Sequence, residues 1–194
     1  MSLPPPSRLT RRDLLSRGSK LSLVSLALLS GLNTKVVAQD ERSISSRDID
    51  ILNEILGTEH EGIAAYEVCL KGNLFHKTTA NTARLFQDHH KTHRDILSEN
   101  IRTMGGVPVT AKTESDYKDD LNLTVLKSQR QALQVIVKLE LGAANGYIGM
   151  LPSTSDHELA KMAGRIAADE VMHWTTLSEL LGVPLPTQAL SFGA

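Results

Sequence analysis

The chain has 194 residues, 41% of them hydrophobic and 22% charged, with a formal net charge of -1. That is enough for one globular domain with a real core, and the near-neutral balance gives no electrostatic footing for nucleic acid or an anionic membrane surface. With one cysteine, Cys69, neither an internal disulfide nor a cysteine-based zinc or iron–sulfur cluster can form within one chain.

Residues 1–38 read as an address rather than as part of the fold. A basic, proline-rich start carries Arg11-Arg12 shortly before Leu14-Leu15, and an apolar run from Leu21 to Leu32 follows. That run is too short and too serine-rich to span a bilayer comfortably. Val36-Val37-Ala38 then offers a site for a signal peptidase. The paired arginines resemble a twin-arginine signal, which exports proteins already folded. A plain secretory signal or an uncleaved amphipathic anchor are the alternatives. The expected destination is periplasmic or otherwise exported. The twin-arginine export machinery is the expected partner, with no stable membrane insertion after cleavage.

From Ser45 onward the apolar residues recur with a period near 3.6, and no segment alternates as a strand does. The first predicted helix starts at Ser45 or Ser46, with Asp48 in its first turn, and stops at Gly72-Asn73. Its stripe is Leu52, Ile55, Leu56, Ile63, Tyr66 and Leu70, with Glu59 in the middle. The second runs from Thr79 to Met104 and ends at Gly105-Gly106-Val107-Pro108; its stripe is Leu85, Phe86, Ile96, Leu97, Ile101 and Met104. His90 and His93 fill the gap in that stripe. The polar stretch to Asp120 reads as a long connection without functional signal.

The third helix is expected from Asn122 to Met150, stopping at Leu151-Pro152, on a stripe of Leu133, Ile136, Val137, Ala144, Tyr147 and Ile148 that Glu140 interrupts. Ser153 or Ser155 can cap the fourth, which ends at Leu181-Gly182-Val183-Pro184 and carries Leu159, Ile166, Ala167, Trp174, Leu177 and Leu181 on one face. Glu170 and His173 share that face, because residues three apart on a helix point the same way. The bundle thus covers 45–184, and 185–194 form a tail. Short, long and short links give an all-α four-helix bundle with one long crossover between its second and third helices.

An unpaired carboxylate on an apolar stripe costs several kcal/mol or takes up a proton. Three such glutamates and three such histidines compensate one another most economically around bound metal. A repeat supports this. Tyr66 follows Glu59 by seven residues and Tyr147 follows Glu140 by seven, and both helix pairs end in Gly-Val-Pro.

These residues resemble the ferritin-like superfamily of carboxylate-bridged dimetal proteins, in particular its exported branch related to desiccation-associated ferritin-like proteins. The similarity covers about Ser45 to Pro184. The resemblance implies metal ligands Glu59, His93, Glu140, Glu170 and His173, with Glu59 and Glu140 terminal and Glu170 bridging, and His90 joins them from its place in the stripe. Where the family pattern has Glu-x-x-His on the second helix, this chain has His90 in place of the glutamate. With three carboxylates, two divalent ions leave a formal +1, so one or two ions remain open. Asp88 or His89 is the alternative ligand there, after a small helix rotation.

Iron is the expected metal, with manganese or another transition metal admitted. Tyr66 and Tyr147 are candidates to hydrogen-bond a ligand or take part in electron transfer, with plain core packing as the alternative. The expected function is redox chemistry with oxygen, peroxide or Fe(II). The alternatives are a non-catalytic metal-binding or stress-protective bundle and a purely structural one. A homodimer is compatible with all three.

Overall fold

In the computed structural model, which describes residues 34–154 and 156–193, all regular structure is helical. Five α-helices follow in order: α1 Thr34–Lys71, α2 Lys77–Thr103, α3 Glu114–Asp120, α4 Gln129–Met150 and α5 His157–Leu181. A short 3-10 helix, Leu123–Val125, lies between α3 and α4. Most of residues 1–38, where a signal is expected, and Ser155 lie outside the described residues. Among the described residues no helix is long and apolar enough to cross a membrane.

Helix α1 does not start at Ser45 or Ser46 but runs through them from Thr34. No glycine or proline interrupts Val36 to Arg47, so nothing there breaks the backbone ladder. At the other end Asn73 takes a left-handed φ of 51° and turns the chain. Helix α4 starts at Gln129, not Asn122: Ser128 caps it by accepting from the Gln131 amide, whereas Asn122 sits at φ 52° between shorter elements. The cap of α5 is Asp156, whose carboxylate accepts from the amides of Glu158 and Leu159. The link expected to be featureless holds α3, started by a capping box between Thr113 and Asp116. Tyr117 of α3 and Leu123 are both buried.

The long link shows how the helices run. Asn53 of α1 bonds to Val107 and Val109, His60 meets the Val109 carbonyl, and Lys71 pairs with Glu114. The chain leaving α2 therefore travels along α1 from its middle to its C-terminal end. There the His76 amide, at the start of α2, donates to Gln129 at the start of α4. α4 thus starts at the same end as α2, as one crossover among four long helices requires.

The core lies in two apolar clusters. One gathers Leu52, Ile55 and Leu56 with Leu97, Ile101, Tyr147, Met150 and Ile166. The other gathers Ala65, Tyr66 and Cys69 with Phe86, Leu133, Ile136, Leu177 and Leu181. Between them in the sequence of every long helix sit the glutamates and histidines described below. Burial also pushes the Cys69 thiol up to about 12, which leaves it a small apolar filler.

Two residues of the expected stripe on α2 are misplaced: Leu85 is 53% exposed and Ile96 39% exposed. Each precedes a buried neighbour, Phe86 or Leu97, and residues adjacent on a helix point about 100° apart, so one of each pair faces out. Leu97→Ala is expected to lower stability by about 2–5 kcal/mol, whereas Leu85→Ala should change it by less than about 1 kcal/mol. Denaturant unfolding of the two variants measures the difference.

Candidate metal centre

Each long helix brings its ligand-type residue to the core because that residue occupies a core position of the helical period. Glu59 from α1 and Glu140 from α4 are 0% and 1% exposed, Glu170 and His173 from α5 are both 0% exposed, and His90 and His93 from α2 are each 3% exposed. The six converge. Glu59, His90, His93 and Glu170 can each offer one atom such that all lie within 4.8 Å of one another, and so can His90, Glu140, Glu170 and His173. His90 and Glu170 belong to both sets.

His90 stands between Glu59 and Glu140, with Nδ1 at 2.7 Å from the first and Nε2 at 3.3 Å from the second. Its ring lies against Gly62, where a Cβ would come within 3.3 Å of Nδ1 and Cε1. The absent side chain on α1 leaves room for the imidazole. His93 Nδ1 lies 2.9 Å from Glu170 Oε1, and His173 Nδ1 lies 3.3 Å from Glu170 Oε2 and 3.4 Å from Glu140 Oε2.

The tyrosines cross between the helix pairs. Tyr147 of α4 donates to Glu59 on α1, and Tyr66 of α1 donates to Glu140 on α4. Burial and the adjacent carboxylates hold both phenols well above their ordinary range, so they stay protonated donors.

Two residues of the site were not singled out by the apolar pattern. Asp169 Oδ2 lies 3.3 Å from His93 Nε2, and His89 Nδ1 lies 2.9 Å from His173 Nε2. Both are only partly buried, just beside the ligand-type residues on their helices, and so fall off the apolar stripe. His89 faces the far side of His173 rather than replacing His90, and Asp88 is an exposed partner of Lys91.

The donor set fits a metal. His93 Nδ1, His173 Nδ1, Glu140 Oε2 and both oxygens of Glu170 are buried without a hydrogen-bond partner. They face one another at 2.9–3.4 Å without forming hydrogen bonds, an arrangement that is costly in a closed core unless something more satisfies them. Nitrogen and carboxylate oxygen together suit first-row transition metals.

The ferritin-like domain model matches residues 47–183. The chain belongs to the ferritin-like domain family. Among solved structures, a conserved hypothetical protein from Mycobacterium tuberculosis is similar at a TM-score of 0.61 and 16% identity, over 75% of this chain and 97% of that one. A ferritin-like, diiron-carboxylate protein from Bacillus anthracis str. Ames is similar at 0.59 and 21% identity, over 71% of this chain and 96% of that one. At these identities the likeness speaks for the shared fold. No curated protein matches the chain by sequence.

Electrostatics in this ferritin-like bundle follow from the crowding. Burial disfavours a charged His173, yet Glu140 and Glu170 override it and raise the imidazole from 6.5 to about 9. His90 is raised well above its ordinary range in the same way, against burial, by Glu140 and Glu59, and His93 is raised by Glu170 and Glu59. Against burial, His90 and His173 hold Glu140 well below the usual carboxylate range, while burial raises Glu170.

A histidine raised on folding stabilises the fold fully below its unfolded value and loses that contribution as pH climbs through the folded one. For His173, from 6.5 to about 9, this amounts to about 3 kcal/mol. Metal-free protein should therefore melt at progressively lower temperature as the pH rises from 6.5 through about 9. Metal binding near pH 7 should release protons from these imidazoles. Calorimetric melting across pH and metal titration in buffers of different ionisation enthalpy check the two effects.

Proposed function

We propose that this ferritin-like protein is exported and that its buried carboxylate–histidine layer holds a dinuclear metal centre, of iron in the first instance, for redox chemistry with oxygen, peroxide or Fe(II). The observation that carries the reading is the meeting of three buried carboxylates and three buried imidazoles, with five of their atoms in no well-formed hydrogen bond. Membership of the family and the diiron-carboxylate description of the Bacillus anthracis protein support it. Manganese or another first-row ion suits the same donors.

Within this reading Glu59 and His93 hold one ion, Glu140 and His173 the other, and Glu170 reaches both, as its place in both donor sets allows. His90 gives one ion a nitrogen, since a neutral imidazole ligates through one atom and cannot bridge as a carboxylate does. Tyr147 and Tyr66 each engage one oxygen of a terminal carboxylate and so fix its rotation. When bound, iron supplies the one-electron chemistry that these side chains lack.

Export by the twin-arginine route belongs to the same proposal. It rests on Arg11-Arg12 and the apolar run from Leu21 to Leu32. A route for folded proteins suits a chain whose centre closes only when four helices have met.

Protein purified without added metal should carry one or two transition-metal ions per chain by elemental analysis. Glu59→Ala and His173→Ala should each lose most of it while keeping helical circular dichroism. Full retention by both variants would refute the ligand assignment. Iron-loaded protein should consume oxygen or peroxide. Full occupancy without consumption would point instead to a non-catalytic metal-binding or stress-protective bundle.

A further inference from the structure

The internal repeat lays α2 on α5 at a shift of eighty positions, which takes His90 to Glu170 and His93 to His173. The same shift takes His89 to Asp169 and Phe86 to Ile166. These last two pairs break the symmetry at the places where the halves of the centre meet the outside.

His93 and His173 are used alike. Each turns Nδ1 toward the carboxylates and is met at Nε2 by a residue of the facing helix. For His93 that residue is Asp169, and for His173 it is His89. A carboxylate accepting the far N–H fixes the ring, makes it a stronger ligand and adds a negative charge close by. An imidazole can be neutral or cationic, never anionic. Counting Asp169, four carboxylates face two divalent ions, and the fourth sits on one side only.

The surroundings differ in the same sense. The Phe86 ring stacks on His173 with centroids 4.1 Å apart. Beside His93 the matching residue is Ile166, and a cleft of about 210 Å³ opens there, lined also by His89, Thr92, Met162, Arg165 and Asp169. The side chain of Asp169 is 50% exposed, so the carboxylate that touches His93 also touches solvent. Arg165 shares the lining, but it is exposed and its charge is screened by solvent.

From these contacts we infer that the two halves of the centre are inequivalent: the half built from Glu59, His93 and Asp169 takes the first ion and holds it more tightly, and the half built from Glu140, His173 and His89 takes the second. The inference rests on the metal-binding reading above and adds an order of filling to it.

The test is a titration of the metal-free full-length protein with Co(II), followed by equilibrium dialysis with elemental analysis and by visible absorption. Wild type should bind two ions in steps separated by about tenfold or more. Asp169→Asn, nearly isosteric and at a half-exposed position, should weaken the tight step by about 10–100-fold and leave the weak step in place. His89→Asp should tighten the weak step by a similar factor and bring the two together. Two ions bound in a single step, or a tight step untouched by Asp169→Asn, would overturn the inference while leaving the metal-binding reading intact. No Co(II) uptake by correctly folded wild type would overturn that reading itself.

Discussion

A carboxylate moved from water into an apolar interior costs several kcal/mol unless cations or hydrogen-bond donors meet it, and this bundle takes in Glu59, Glu140 and Glu170 together. Their neighbours follow from that one constraint. Imidazoles from α2 and α5 supply charge, phenols from α1 and α4 supply donors, and the apolar packing is left as two clusters rather than one. Three negative groups set against three imidazoles that are all held above their ordinary range make a layer that can be neutral with protons aboard. It is therefore a layer in which protons and metal ions compete for the same lone pairs.

The place of His90 shows how one substitution is absorbed. An imidazole is bulkier than a carboxylate at the same depth, and the room for it comes from Gly62 on the neighbouring helix. It also reaches two carboxylates at once, one through each nitrogen, and so joins α1 to α4.

Much of this could be read from the sequence because the helical period is strict. Glu59, His90, His93, Glu140, Glu170 and His173 fall on apolar stripes, and the structure buries all six. The boundaries were harder. Asp156, not a serine, caps α5, and Thr113-Glu114-Ser115-Asp116 starts a helix in a stretch too polar to show a stripe. Asp169 and His89 escaped for a geometric reason: each sits one position from an inward residue and so lies off the stripe. Only the eighty-residue register of the repeat would have linked them. Leu85 and Ile96 misled because hydrophobicity alone does not say which of two adjacent apolar residues turns inward.

The crossed tyrosines bear on how the molecule is put together. The first hairpin supplies Glu59, His90 and His93 but borrows Glu170, and the second supplies Glu140, Glu170 and His173 but borrows His90. Since Tyr66 and Tyr147 each serve the carboxylate of the other hairpin, neither half can peel away without stripping a partner from both. A severed hairpin would retain three quarters of one donor set and a quarter of the other, with its own glutamate stripped of its tyrosine donor.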